Sequence, residues 1–126
     1  MPCQTQDLGD EPEPRLSRLE QEEVRMLYRI PGSDPVELEV GVDGINSLVG
    51  GEYEIITFCD DLAAWICADG KRLGLPFNFS LFEGKDYVAG PVVFTHGSTD
   101  AESNTLGITD YGIELAKEVL RGKSIR

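Results

Sequence analysis

Residues 52–68 have the sequence EYEIITFCDDLAAWICA, in which two apolar segments flank a pair of aspartates. The first segment, Glu52 to Phe58, alternates between two sets of side chains, as expected of a β-strand. The second, Leu62 to Ala68, is apolar at nearly every position, which is typical of a strand buried on both faces. Cys59-Asp60-Asp61 favours a tight turn between them. The stretch therefore predicts an antiparallel pair of central strands.

The sequence before this pair predicts a β-hairpin. Val24 to Ile30 and Val36 to Val40 both alternate apolar with polar side chains, and Pro31 to Pro35 between them is rich in turn-forming residues. After the central pair, Arg72 to Asn78 predicts a short strand that runs into a constrained loop. Tyr87 to Thr95 predicts the last strand, which Pro91 places at an edge or a bulge.

Two helices are predicted. Asp43 is suited to cap a short helix that ends at Gly50-Gly51, because glycine tolerates a left-handed C-cap. Thr109 is suited to cap a C-terminal helix, Asp110 to Arg121, with an apolar stripe that packs on the sheet. The expected fold is α+β: a mainly antiparallel sheet of about five to six strands in a meander, one short inserted helix and a C-terminal packing helix.

Composition indicates one domain preceded by a tail. The chain has 126 residues, of which 40% are hydrophobic, and this suits a single core. Residues 1–15 combine acids and prolines with few apolar side chains, so we expect a disordered acidic tail and a single domain over residues 16–126. No segment approaches the roughly 20 apolar residues of a membrane helix, and the expected location is the cytoplasm.

The net charge of −12 arises from 23 acids and 11 bases, and residues 1–61 alone hold 15 of the acids and 4 of the bases. Such a field repels nucleic acid and anionic membranes and attracts basic partners. We therefore expect no direct binding to nucleic acid or membrane and a protein partner with basic character. The candidate acidic partner surface consists of Glu37, Glu39, Glu52 and Glu54.

A second candidate interface follows the central strands. Glycine and proline constrain the loop, and the phenylalanines near it exceed what one loop can bury. An apolar surface of this kind suits a protein partner or a second copy, and a homodimer is expected. Its candidate residues are Gly74, Leu75, Pro76, Phe77, Asn78, Phe79 and Phe82.

Catalytic and metal-binding patterns are weak. His96 is the only histidine, so a nucleophile-base arrangement has to include it, with Cys59 or a serine of the following loop as nucleophile. Zinc requires several cysteine or histidine ligands at short spacings, and Cys59 and Cys67 have no second pair. We therefore expect free structural thiols, no cofactor, no metal and no enzymatic activity.

Five short motifs follow one another along the chain: Val36 to Glu39, Leu48 to Glu54, Leu73 to Asn78, Ala89 to Val93 and Gly107 to Asp110. Together they resemble a family of small uncharacterised proteins that occur in bacteriophages, plasmids and actinobacteria. The resemblance covers residues 24–121 and implies an accessory protein of a phage or mobile element, with no catalytic residues to transfer. The acidic tail and the polar loop 96–105 depart from the pattern.

Three functions remain open at this point. The first is a non-enzymatic accessory protein that acts on the host by protein–protein interaction. The second is a small-molecule binder, such as a sponge for nucleotide signals, and it requires a pocket lined by lysine or arginine. The third is an acidic decoy that mimics DNA, and it requires carboxylates clustered on one elongated face.

Overall fold

A computed structural model describes residues 23–97 and 107–122 of the chain. The predicted tail, residues 1–15, and residues 98–105 of the polar loop lie outside this range. In the described part the chain forms seven strands and two α-helices. The strands are β1 (Val24–Arg29), β2 (Val36–Val40), β3 (Tyr53–Cys59), β4 (Leu62–Cys67), β5 (Phe77–Leu81), β6 (Asp86–Ala89) and β7 (Val92–Thr95); the helices are α1 (Ile45–Val49) and α2 (Asp110–Leu120).

The strands form two antiparallel sheets, so the predicted α+β class is confirmed. Five strands make the main sheet in the order β2-β1-β7-β4-β3, and β5 and β6 pair separately as a two-stranded ribbon. The order departs from the expected meander, because β7 returns to lie between β1 and β4. Leu27 of β1 and Ala64 of β4 both pair with Phe94 of β7.

The predicted centre of the sheet has to be corrected. Strand β4 is interior as expected, but β3 is an edge strand and its residues are mostly exposed. The central strand is β7, whose four residues are all buried. The physical reason is that β7 has a neighbour on both sides and packing on both faces, whereas β4 is the single partner of β3 among the described strands.

Each face of the main sheet is covered by a different element. Helix α2 and the ribbon cover one face, where Phe79 and Phe94 have ring centroids 6.0 Å apart. Helix α1 covers the other face and buries Ile45 and Val49 against Met26. Among the described residues, no helix is long and apolar enough to span a membrane.

Two strand predictions after β4 were wrong. Residues 72–74 form a turn, and the strand begins only at Phe77, because the chain first folds back through the Leu75 N–H to Gly70 O bond of 2.9 Å. The segment predicted as one strand, Tyr87 to Thr95, is divided between two sheets. Gly90, with φ of 96°, and Pro91 carry the chain from β6 of the ribbon to β7 of the main sheet.

The helix predictions were confirmed at the C-terminal helix and partly at the short one. Thr109 caps α2, since its Oγ1 accepts a hydrogen bond of 3.0 Å from the Gly112 N–H. Gly50 ends α1 in the left-handed conformation, as predicted. Asp43, however, makes no capping bond and lies inside a 3-10 turn, Val42–Gly44, which precedes α1.

Candidate functional site

A β-bulge divides the predicted loop interface into a buried part and an exposed part. Between β5 and β6 the register shifts at Asn78, so Phe77 faces Ala89 and Phe79 faces Val88. Phe79 is 1% exposed and belongs to the core, whereas Phe77 is 58% exposed. The bulge thus removes Phe79 from the candidate interface and retains Phe77.

Asn78 is a structural residue rather than a contact residue. Its side chain is buried, and its Nδ2 donates hydrogen bonds to Arg29 O (3.2 Å) and Gly90 O (2.8 Å). Its Oδ1 accepts a bond of 3.0 Å from the Arg29 guanidinium. These contacts fasten the ribbon to the end of β1 and to the turn before β7.

The preceding loop residues are also mainly structural. Leu75 packs on the α1 face of the sheet, and its side chain approaches Gly90 so closely that a Cβ there would lie 2.7 Å from Leu75 Cδ1. Pro76 O accepts a hydrogen bond of 2.7 Å from the Gly90 N–H. Gly74, with φ of 74°, forms the turn before them. The loop therefore positions the ribbon and leaves Phe77 and Phe82 as exposed side chains.

Three aromatic side chains form an exposed surface on the ribbon, which we call the ribbon surface: Phe77, Phe82 and Tyr87. Their exposed fractions are 58%, 63% and 41%. The rings of Phe77 and Tyr87 lie 5.9 Å apart between centroids. Lys71 Nζ lies 4.8 Å from the centroid of the Tyr87 ring and adds a cation–π contact. Tyr87 was not among the predicted interface residues, because its proximity to Phe77 depends on the pairing of the two ribbon strands.

The tip of the ribbon holds Phe82 in an unusual backbone conformation. Phe82 and Glu83 have φ of 52° and 58°, and they are the two non-glycine residues with positive φ among those described. This region disfavours bulky side chains, so each such residue costs about 1–3 kcal/mol. The fold thus holds an exposed aromatic ring on a strained turn, which is a common property of binding sites.

A groove of about 550 Å³ lies between the β3 edge of the main sheet and the ribbon. We call it the β3 groove. Apolar side chains and two cations line it, and Phe82 and Tyr87 of the ribbon surface form part of its wall. Its lining residues are Glu54, Ile55, Ile56, Ile66, Cys67, Ala68, Lys71, Arg72, Leu81, Phe82, Asp86, Tyr87, Val88 and Ala89.

The two cations of the β3 groove are paired with carboxylates. Lys71 Nζ forms an ion pair and hydrogen bond with Asp86, which raises the pKa of Lys71 and lowers the pKa of Asp86. The Tyr87 N–H also donates to Asp86 Oδ1 at 2.7 Å and contributes to the lowered pKa. Arg72 pairs with Asp69 at 3.0 Å. The groove cations are therefore largely neutralised within the chain.

The outer edge of β3 has backbone groups without a partner among residues 23–97 and 107–122. The Ala68 N–H donates to Glu52 O at 2.9 Å, in the same register that pairs Tyr53 with Cys67. Because hydrogen-bonded and non-hydrogen-bonded pairs alternate along an antiparallel ladder, Tyr53, Ile55 and Thr57 direct their N–H and C=O groups away from β4. These groups face the open edge of the sheet.

The predicted acidic surface is not continuous. Glu37 and Glu39 lie on β2, and Glu52 and Glu54 lie at β3, which is the opposite edge of the five-stranded sheet. Glu37 Oε1 also accepts a bond of 3.1 Å from Arg25, whose guanidinium contacts Asp110 at 2.9 Å on its other side. Both contacts raise the pKa of Arg25. The four glutamates therefore form two separate pairs.

A second cleft, of about 480 Å³, lies between β1 and the end of α2. Arg29, Lys117 and Arg121 contribute cations to its lining, and Asp34 contributes a carboxylate. The Arg29 guanidinium is held by hydrogen bonds to Ser33 O (2.8 Å) and to Asn78. Lys117 lies in the last turn of α2 and Arg121 is the C-cap residue that follows it, where cations interact favourably with the negative end of the helix dipole.

His96 lies beside an acid. Its Nε2 is 3.9 Å from Asp61 Oδ1, and its side chain is 18% exposed rather than open to solvent as expected of a loop histidine. Cys59 and Cys67 are free thiols, as predicted, and Cys67 is buried beside Trp65. In the described ranges, no three histidine, cysteine or acidic side chains come together to hold a metal ion.

The comparisons with known proteins give one family. The family model described as "Domain of unknown function (DUF3846)" matches residues 24–121, which is most of the chain. This range contains both sheets, both helices and every residue of the ribbon surface and the β3 groove. No curated protein and no solved structure matches the chain.

Proposed function

From the premise that the chain belongs to the DUF3846 family, a domain of unknown function, we propose that it is a non-enzymatic accessory protein that acts by protein–protein interaction. We propose that it acts in the cytoplasm as a protein of a phage or other mobile element. There it modulates a host protein. The proposal assigns no catalytic step to any residue.

The observation that carries this proposal is the ribbon surface. Three aromatic residues are exposed on one small ribbon, whereas Phe79 and Val88 of the same two strands are buried. Exposed aromatic side chains next to a structured groove are typical of the energetic centre of a protein interface. The strained backbone at Phe82 supports the same conclusion, because stability alone would favour glycine or asparagine there.

Affinity capture from a lysate of the native host tests this proposal. The bait proteins are the wild type, a double variant Phe77→Ser/Phe82→Asn, and Tyr111→Ser as the matched control. Tyr111 is also an exposed aromatic, at 61%, but it lies on α2 outside the ribbon. Asparagine accepts the left-handed backbone at position 82, so the double variant retains its fold. We expect proteins that the wild type and the control capture and the double variant loses.

The same variants distinguish a host protein from a second copy of the chain. If the ribbon surface forms a homodimer, light scattering after gel filtration gives a dimer mass for the wild type and a monomer mass for the double variant. If the wild type and the double variant have equal masses, and the double variant alone loses captured proteins, the partner is a host protein. Capture of the same proteins by all three baits contradicts the use of the ribbon surface.

A second candidate function is the binding of an anionic small molecule, such as a nucleotide signal, in the cleft of Arg29, Lys117 and Arg121. The three cations in its lining favour this function. The C-terminal end of α2 disfavours an anionic ligand in this cleft, since the helix dipole is negative there. A thermal-shift panel of nucleotides on the wild type and on Lys117→Met tests it: a higher Tm in the wild type alone supports binding, and no shift with any nucleotide contradicts it.

The acidic-decoy hypothesis has less support. A DNA mimic requires carboxylates on one elongated face, and the two predicted pairs of glutamates lie at opposite edges of the main sheet. Glu37 is also engaged by Arg25. A basic partner would therefore contact the glutamates of one sheet edge and not those of both edges together.

A further inference from the structure

The open edge of β3 is suited to backbone pairing with another chain. We propose that this edge binds an extended segment of a partner protein, with basic residues alternating with apolar ones, as an additional strand of the main sheet. The inference deepens the proposed function, since it names the chemistry of the partner segment. It uses the β3 edge rather than the ribbon surface.

The length of β3 and the direction of its backbone groups give the first argument. With seven residues, β3 is the longest strand of the described chain, and the other edge strand, β2, has five. The backbone groups of Tyr53, Ile55 and Thr57 face the open edge. Three residues whose N–H and C=O groups have no partner in the described part of the chain offer up to six main-chain hydrogen bonds, which is the basis of strand addition.

The side chains of β3 give the second argument. Tyr53 is 37% exposed and Ile55 is 47% exposed, and their register with Cys67 and Trp65 places them on the α1 face of the sheet. The Tyr53 ring rests on Trp65, with centroids 4.7 Å apart. An added strand places every second side chain beside Tyr53 and Ile55. Apolar residues at those positions bury the exposed ring and the exposed isoleucine.

The charge around β3 gives the third argument. Glu52 and Asp60 flank β3 and Glu54 lies within it, and none of the three forms an ion pair with another described residue. The nearby cations Lys71 and Arg72 are already paired with other carboxylates. The edge is therefore negative, and basic side chains in the incoming strand complement it.

The same charges disfavour the two-fold self-pairing of this edge that uses all seven residues of β3. In a two-fold antiparallel pairing of β3 with itself, centred on Ile56, Glu52 lies opposite Asp60 of the second copy. Like charges directly opposite each other destabilise a strand pair, and the symmetry repeats the repulsion at both ends. A basic segment meets attraction at the same positions.

The experiment uses a short fluorescein-labelled synthetic peptide in which valine alternates with lysine, and a matched peptide in which valine alternates with glutamate. Fluorescence anisotropy measures binding to the full chain, and NMR hydrogen exchange measures protection of the β3 amides. We expect the lysine peptide to bind more tightly than the glutamate peptide by at least about tenfold, which corresponds to about 1.4 kcal/mol. We also expect it to protect the amides of Tyr53, Ile55 and Thr57.

Two variants make the test specific. Ile55→Pro removes an N–H that faces the open edge and does not pair with β4, so the sheet tolerates it while strand addition is lost. Circular dichroism confirms that this variant folds. Glu54→Lys reverses the local charge and is expected to weaken binding of the lysine peptide and strengthen binding of the glutamate peptide. Glu114→Lys, at an exposed position of α2 away from β3, is the matched control and leaves both affinities unchanged.

Three results overturn the inference: no binding of the lysine peptide, binding that Ile55→Pro leaves unchanged, or a wild-type dimer that Ile55→Pro converts to a monomer. The last result assigns the edge to a second copy. Failure here is separate from failure of the proposed function. If Phe77→Ser/Phe82→Asn loses captured host proteins, this result supports the proposed function even if no peptide pairs with β3.

Discussion

Phe77 and Phe79 are two positions apart on one strand, yet their side chains have opposite environments. Phe77 is 58% exposed and Phe79 is 1% exposed, because the bulge at Asn78 inserts one residue between them. Ordinary strand alternation would place both rings on the same face. The bulge therefore allows one strand to serve the core and the ribbon surface together.

This difference predicts unequal losses of stability when the two rings are truncated. Phe79→Ala removes a ring that packs on Phe94 and is expected to lower the free energy of unfolding by about 3–5 kcal/mol. Phe77→Ala is expected to change it by less than about 0.5 kcal/mol, since the ring is mostly exposed. Urea denaturation followed by tryptophan fluorescence measures both values. Equal losses for the two variants would show that Phe77 also packs in the core.

A second prediction concerns the buried amide of Asn78. Asn78→Ala leaves Arg29 O and Gly90 O without their side-chain donor and is expected to destabilise the fold by about 1–3 kcal/mol. Asn46→Ala is the control, because its Nδ2 bond to Gly51 O is exposed and its loss should cost less. A comparison of the two Tm values measures the difference. A neutral Asn78→Ala would mean that other groups anchor the ribbon.

The third prediction concerns pH and the pair of Lys71 and Asp86. Since Lys71 and the Tyr87 N–H lower the pKa of Asp86, folding favours its ionised form. The stabilisation is therefore complete above the ordinary aspartate pKa of about 3.9 and is lost as the pH falls through the lower folded value. In Lys71→Met, a carboxyl-carbon NMR titration is expected to show a higher midpoint for Asp86. An unchanged midpoint would leave the Tyr87 N–H as the main cause of the lowered pKa.

The fourth prediction uses the single tryptophan as a reporter. Trp65 Nε1–H donates to Thr95 Oγ1 at 2.8 Å, and the Thr95 hydroxyl donates to His96 O at 3.0 Å. Thr95→Val leaves the buried indole N–H without its acceptor, and we expect a loss of about 1–3 kcal/mol. Thr95→Ser retains the hydroxyl and should retain the indole bond, with a smaller loss from the missing methyl group. If the two variants melt at the same temperature, the hydroxyl is not the source of the stabilisation.

Local patterns in the sequence were sufficient to predict the local elements. The alternation of Val24 to Ile30, the apolar run of β4, and Thr109 followed by an apolar stripe each depend on neighbours within a few residues. Pairing between distant segments was not predictable in this way. The sequence around Pro91 indicated an edge, and nothing near Val92 to Thr95 showed that both β1 and β4 would pair with it.

The candidate site was predictable to a similar extent. The excess of phenylalanines after Gly74 indicated an interface, but which of them would be buried depended on the bulge at Asn78. Tyr87 and Ile55 were not identified, because one lies across the ribbon and the other was assigned to an interior strand. A tyrosine in a strand and an isoleucine between acids are not distinctive in sequence.

The position of β7 has a consequence for how the chain folds. The hairpin of β1 and β2 and the hairpin of β3 and β4 share no ladder with each other, and each joins the sheet only through β7. A two-stranded hairpin alone is marginally stable in water. The sheet therefore cannot form before Thr95 has been synthesised, and its closing contacts have high sequence separation, which slows folding. Nascent chains that stop before Val92 would carry two unjoined hairpins and depend on protection from aggregation.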